Sequence, residues 1–230
     1  MATEVDPSTA RLGESLYQFF GRAIPAGYSE VWEIETERLK SAGHTKPWEL
    51  FLYNKLFLFN AGHVIYMGVI FLIFGLLPTL FHLAYSIVVT LMLETINYIE
   101  HYGLLRKKLP GGVYEPVKIT HSWNAPQLVT NYIMFKLQRP SDHHANSYKP
   151  YQILESFSES PMLPYGYTVS LLLSLVPPVW KKVTDPISIA TNNGEKVSKE
   201  FLHHQERLVL GYLCTTSLIL TYITFFIVGF

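Results

Sequence analysis

Cysteine is almost missing: Cys214 is the only one in 230 residues, so no internal disulfide can form. Its apolar surroundings predict a packed thiol. Charge is also scarce. Asp, Glu, Lys and Arg make up 16% of the chain, against about a quarter in soluble domains. The shortfall is local, which points to membrane segments. Acidic and basic residues balance at 18 each, with no basic patch interleaved with aromatics, which excludes nucleic acid as a partner. The first 50 residues hold no apolar core of a signal peptide, and Glu4 and Asp6 are unlike an Arg-rich transit peptide. There is no Gly-rich phosphate loop, no Ser or Cys nucleophile motif and no internal repeat.

What is present is mostly apolar, at 49%. From Leu56 to Leu93 no Asp, Glu, Lys or Arg occurs. A single helix over that run, at ~1.5 Å per residue, overshoots a ~30 Å hydrocarbon core, and Gly75-Leu-Leu-Pro78 supplies a break. The expectation is therefore a transmembrane hairpin over about 54–75 and 78–98. Lys55 before it and Arg106-Lys107-Lys108 after it place both ends on the cytoplasmic or matrix-equivalent side. A third transmembrane helix is expected over about 208–230. The segment 163–179, with Pro164, Gly166, Pro177 and Pro178, suits an interfacial or re-entrant element, and 184–199 a surface linker.

Before the hairpin, Asp6-Pro7-Ser8 resembles a helix start, with Leu12, Leu16, Phe19 and Phe20 on one face. Ile24-Pro25-Ala26-Gly27 is expected to break that helix, with a second, charged one over Ser29–Ala42. The fold class is thus an all-α membrane protein: amphipathic helices over 1–50, a hairpin-bearing region over 51–186, and a linker with a C-terminal helix over 187–230.

Chemistry concentrates in two places. Glu94, Asn97 and His101 share one face where the second hairpin helix ends. His143 and His144 are adjacent imidazoles following Asp142, and histidine is the commonest metal ligand. Asn60, His63 and His82 lie within the spans and are expected to face a bundle interior. His203-His204 read as a solvated face.

Two stretches together are specific. Asn97-Tyr-Ile-Glu-His-Tyr-Gly-Leu104 and Leu137-Gln-Arg-Pro-Ser-Asp-His-His-Ala145 closely resemble the C-terminal histidine motifs of integral-membrane non-haem diiron alkane monooxygenases. These sit within the fatty-acid desaturase/hydroxylase group. His121-Ser-Trp-Asn124, Leu163-Pro-x-Gly-Tyr167 and Leu175-Val-Pro-Pro-x-Trp180 look like the same family's intervening sequence, so the resemblance covers about 2–186. It implies hydroxylation of an alkane's terminal carbon with O2, two irons and electrons from rubredoxin. His101, His143 and His144 match ligand positions. Pro140 stands where the family's LQRHSDHHA box has its first histidine, and the HxxxH and HxxHH boxes are not in this sequence. Proline has no ligand atom and is expected to alter the local backbone. Glu94, Glu100 and Asp142 are further oxygen donors, enough for a mononuclear site of facial-triad type.

These departures lead to an expectation of a non-catalytic, enzyme-derived membrane subunit without cofactor. It would serve in a larger assembly such as a respiratory complex of the mitochondrial inner membrane, with other membrane subunits and lipid as partners. The alternative is half of a split diiron alkane or fatty-acyl monooxygenase. That reading requires iron, a partner chain carrying the missing boxes, and a rubredoxin-like donor.

Overall fold

The protein is described from a computed structural model, which covers residues 1–125, 127, 131–132 and 134–228. Among these residues it is helical, with no strand beyond two isolated bridges, Lys108–Tyr114 and Asn124–Met162. Three helices are long and apolar enough to cross a membrane. The chain divides into two compact units, residues 17–95 and residues 1–16 with 96–230.

In the unit of residues 17–95, helix α1 (Leu16–Ser41) runs unbroken through Pro25. The expected break at Ile24–Gly27 is therefore absent. Proline removes one hydrogen bond and strains one turn, and the long helix on either side absorbs it. Ser29 Oγ donates to the Pro25 carbonyl (3.1 Å). The helix also starts later than Asp6. Asp6 instead folds a turn, its Oδ1 accepting from Ser8 N (3.0 Å) and its Oδ2 from Thr9 Oγ1 (2.6 Å), the competing use of Asp that keeps it out of helices.

Helix α2 (Pro47–Leu52) and the start of α3 (Lys55–Phe74) pack on α1. Trp32 and Phe51 rings lie 5.6 Å apart, and Lys55 N donates to Glu35 Oε1 (3.3 Å). Asn54 caps α3, its Oδ1 accepting from Leu56 N (3.0 Å). Gly75, at φ +82°, separates α3 from α4 (Leu76–His101). Pro78 falls in the first turn of α4, where its missing N–H costs nothing, so α4 begins before it. No residue of α3 is buried, as fits a lipid-facing helix. His63 and His82 do not occupy a protein interior: His63 is exposed and His82 half-buried. Their rings meet across the hairpin at 6.2 Å, with Tyr66 edge-on to His82 at 5.2 Å. Asn60 Nδ2 donates to Tyr28 Oη (2.9 Å) and to the Leu56 carbonyl (2.7 Å).

The other unit is held by large rings. Tyr98, Tyr102, Trp123, Tyr167 and Trp180 are fully buried or nearly so. Each aromatic side chain buries roughly 150–250 Å². At ~25 cal/mol per Å² this is at most ~4–6 kcal/mol per ring, well above the ~1 kcal/mol of a typical hydrogen bond. Trp180 belongs to α7 (Pro177–Asn192), which follows α5 (Pro140–Ala145) and α6 (Tyr167–Ser174). Residues 184–192 are thus helix rather than surface linker. Trp180, Val183, Thr184, Ile187 and Ser188 recur at helical spacing and all are buried.

Gly103 joins α4 to α7. It sits at φ +68°, its N–H donates to the Ala10 carbonyl (2.9 Å), and Asn192 Nδ2 donates to its carbonyl (2.7 Å). Finally α8 (Lys199–Tyr222), capped by Ser198, begins nine residues before the expected span. Its polar first turns, Glu200–Arg207, simply continue the helix. Ile223–Val228 is π-helical, and Gly229 and Phe230 of the expected span lie outside the described residues. Cys214 is exposed rather than packed, on an apolar helix surface suited to lipid.

Candidate metal centre

Two segments bring the predicted donors together. The last turn of α4 carries Glu100 and His101, and α5 carries His143 and His144. Pro140 is at the first position of α5, the one helical site where proline is favoured. It therefore supplies no ligand atom and is compatible with the helical turn that carries His143 and His144. Asp142 fixes that turn. It is fully buried, accepting from Asn146 Nδ2 (2.8 Å), Lys149 Nζ (2.9 Å) and Glu155 N (2.8 Å). Burial pushes this carboxyl up, but the Glu155 N–H, Lys149 and Asn146 outweigh it and hold it below its ordinary value. Both oxygens are engaged, so Asp142 serves as a clamp rather than an oxygen ligand.

Residues 121–125 stitch the two segments. Trp123 N donates to the Glu100 carbonyl (3.0 Å), and Trp123 Nε1 to the Tyr102 carbonyl (2.8 Å). On the other side, Ser141 N donates to Asn124 Oδ1 (3.3 Å) and Ala125 N to the Gln138 carbonyl (3.0 Å). Tyr167 Oη reaches both Glu100 Oε1 (3.2 Å) and the Trp123 carbonyl (3.3 Å). Burial and the Glu100 carboxyl push the Tyr167 phenol well above its ordinary value, so it stays a donor.

The result is a compact donor set: one ligand atom each from Glu100, His101 and His144, all within 4.8 Å of one another. The rings of His101 and His144 have centroids 5.1 Å apart. Two donors on one ion, each at ~2.1 Å, lie no more than ~4.2 Å apart, so a sub-ångström side-chain shift closes the set. Ser122 Oγ lies 3.5 Å from His101 Nδ1 and helps orient that ring. Burial, then the neighbouring His101 and His143 rings, lower His144 to about 3, leaving it neutral, the form that ligates. Two imidazoles and a carboxylate suit a non-haem iron ion with open positions. Beside the set is a cavity of about 460 Å³, walled by Met134, Phe135, Leu137, Tyr151 and Leu154, with Glu100 and His144 at its polar edge.

The sequence pattern of the fatty acid desaturase family matches residues 1–170. The chain belongs to the fatty acid desaturase family. Within it, alkane 1-monooxygenase 2 of Pseudomonas aeruginosa is 40% identical over 196 residues, 85% of this chain and 51% of that protein. Alkane 1-monooxygenase of Ectopseudomonas oleovorans is 39% identical over 186 residues, 81% and 46% of the two chains. The xylene/toluene monooxygenase hydroxylase component of Pseudomonas putida is 29% identical over 182 residues, 77% and 46%. The chain thus spans about half the length of the curated relatives it matches. With its three apolar helices, this fatty acid desaturase family member is an integral membrane protein.

Of the family motif positions, the structure brings together His101 and His144, with Glu100 as the carboxylate. His143 is exposed; its ring is 5.4 Å from His144 and it lines the same cavity, outside the three-donor set. Glu94 and Asn97 share α4 but are not in that set. His203 and His204 are exposed on α8, His203 Nδ1 lying 2.9 Å from Glu206 Oε2. Tyr167 and Trp123 escape a reading of spacing. Both lie in stretches that resemble the family's intervening sequence, but their roles depend on contacts distant in sequence.

Proposed function

We propose that the chain is a ligand-bearing part of a membrane monooxygenase that hydroxylates an apolar hydrocarbon chain. The observation that carries this is the convergence of Glu100, His101 and His144, two of which, Glu100 and His144, border a largely apolar cavity of about 460 Å³. The relatives named alkane 1-monooxygenase support it. The overall reaction is R–H + O2 + two electrons + two protons giving R–OH + water. Bound iron supplies O2 activation. Glu100, His101 and His144 hold the ion, and Tyr167 holds Glu100 in register. The apolar walls formed by Met134, Phe135, Leu137 and Leu154 seat the alkyl chain. Electrons come, in this reading, from a rubredoxin-like donor. A second iron needs more donors than these three, supplied by polypeptide outside these 230 residues, in the same or a partner chain.

A second reading is favoured by Pro140: a non-catalytic subunit of a larger membrane assembly, such as a respiratory complex. The bacterial relatives give no support to a mitochondrial inner membrane as its site. One experiment decides between the readings. Native membranes containing the protein are given octane, ¹⁸O2 and reductant, and ¹⁸O-labelled 1-octanol is sought by mass spectrometry. Labelled alcohol that disappears in His144→Ala establishes the monooxygenase. An intact, iron-free assembly without product overturns it.

A further inference from the structure

We infer that the corner between α6 and α7 lies in the membrane–water interface, with Leu172 and Leu175 among the acyl chains and Lys181 and Lys182 on the headgroups of anionic phospholipids. The inference is independent of the monooxygenase reading, since it uses none of the three donors.

Both helices turn a stripe outward that is apolar for most of its length. On α6 and its C-cap the exposed residues are Thr168, Leu172 and Leu175, at i, i+4 and i+7. Leu172 is 55% and Leu175 49% exposed. On α7 the stripe is Pro178, Lys182, Pro186 and Ile189, opposite the buried one that starts at Trp180. A run of half-bare leucines beside a buried aromatic core marks a surface that meets lipid or protein.

Two contacts set its depth. Tyr165, just before α6, donates from Oη to the Glu206 carbonyl (2.8 Å). The next residue, Arg207, is the last charge before α8 becomes apolar. At the other end, the Trp180 ring packs on Tyr98 and Tyr102, with centroids 5.7 and 5.4 Å away. Tyr98 is one turn past Glu94, the first charge after the charge-free run of the hairpin. The corner is thus tied to the levels at which α8 enters and α4 leaves the apolar layer, where tyrosine and tryptophan gather. The eight residues of α6 rise about 12 Å, far short of a ~30 Å hydrocarbon core, so it lies at the edge rather than across.

Charge identifies the lipid. Among the described residues no carboxylate pairs with Lys181 or Lys182, and the neighbouring acid, Asp185, accepts from Tyr102 Oη (2.6 Å). Ammonium groups on long apolar stems beside an outward leucine stripe fit the phosphates of an anionic leaflet. Each lysine at such a surface is worth about fivefold in partitioning.

The test places the full-length protein, with Cys214→Ser and a bimane label at Leu175→Cys, in phosphatidylcholine nanodiscs. Phosphatidylglycerol or phosphatidylcholine brominated high in the acyl chain is titrated in, and quenching of the label is read. Both lipids should quench, phosphatidylglycerol with its half-effect at a mole fraction on the order of tenfold lower. Lys182→Gln should remove about fivefold of that preference, and Lys181→Gln/Lys182→Gln all of it. A label at Glu195→Cys, exposed beyond α7, should stay unquenched. If Leu175→Cys loses its helical circular dichroism, a label at Leu172→Cys decides. A label at the corner that neither lipid quenches, or that is quenched no more than one at Glu195→Cys, means water or protein covers this face and overturns the interfacial placement. A preference for phosphatidylglycerol that is absent, or that survives in the double lysine variant, overturns the headgroup contact.

Discussion

Replacing Gly103 with alanine tests how α4 is anchored. A Cβ built there meets Ser188 Oγ at 2.8 Å, and Ser188 Cβ and Leu12 Cδ1 at 3.0 Å. Two costs add. Holding an L-residue at φ +68° costs about 1–2 kcal/mol. Forcing a methyl into a filled contact costs roughly 1–3 kcal/mol more. The expected loss is therefore about 2–5 kcal/mol, or ~4–20 °C in melting temperature at ~2–4 °C per kcal/mol for a chain of this size. Thermal unfolding in detergent, followed by tryptophan fluorescence, measures it, since Trp123 and Trp180 are buried in this unit. The double variant Gly103→Ala/Ser188→Gly separates the costs. Removing the Ser188 side chain should recover its share of the steric part, a coupling of roughly 1–2 kcal/mol, and leave the backbone part with the Leu12 contact. Ser188→Gly alone costs about 0.5 kcal/mol in helix propensity, plus the Ser188 Oγ bond to the Tyr102 carbonyl. A Gly103→Ala protein within ~0.5 kcal/mol of wild type, or a cycle without coupling, refutes the reasoning.

Asp142→Asn strands Lys149 and should cost about 2–3 kcal/mol, read by denaturant unfolding. The Glu115 carboxyl is held at about 2, against an ordinary 4.5, first by Lys118 and then by the Lys107 N–H. Its folded value is depressed, so its stabilisation is present above about 4.5 and lost as pH falls toward 2. The melting-temperature gap between wild type and Glu115→Gln should accordingly close over that window; a gap independent of pH contradicts the assignment. Pro140→His should tighten cobalt(II) binding tenfold or more, at a stability cost of roughly 1–3 kcal/mol because position 140 is buried. Unchanged affinity means position 140 does not reach the ion.

The hairpin was legible because its signal is simple. Lack of charge over Leu56–Leu93 and a glycine at the turn leave few alternatives, and α3 and α4 follow within a few residues. Pro25 and Pro186 misled because proline is a strong local signal that a long helix can override when its neighbours pack. The helix over 184–192 was readable in principle from Trp180, Val183, Thr184, Ile187 and Ser188, but Asp185-Pro186 and Asn192-Asn-Gly194 hid that face. Of the candidate site, the imidazoles were visible as motifs. The choice of Glu100 over Glu94, and the engagement of Asp142 as a clamp, depend on Tyr167, Trp123 and Glu155 N, which reach the site only through tertiary structure.

The contacts that complete the centre are also late in time. Glu100 and Tyr167 are 67 residues apart, and Tyr102 and Ser188 are 86 apart. At a synthesis rate of ~5–20 residues per second, Glu100 waits ~3–13 s for Tyr167, and Tyr102 ~4–17 s for Ser188. Until Asp142 and His144 have been made, earlier in that interval, the hairpin is available for insertion while its donor end has neither its partner imidazole nor its clamp. An ion arriving early would find only Glu100 and His101. The three donors therefore come together only once α5 has been made and residues 121–125 have tied it to α4.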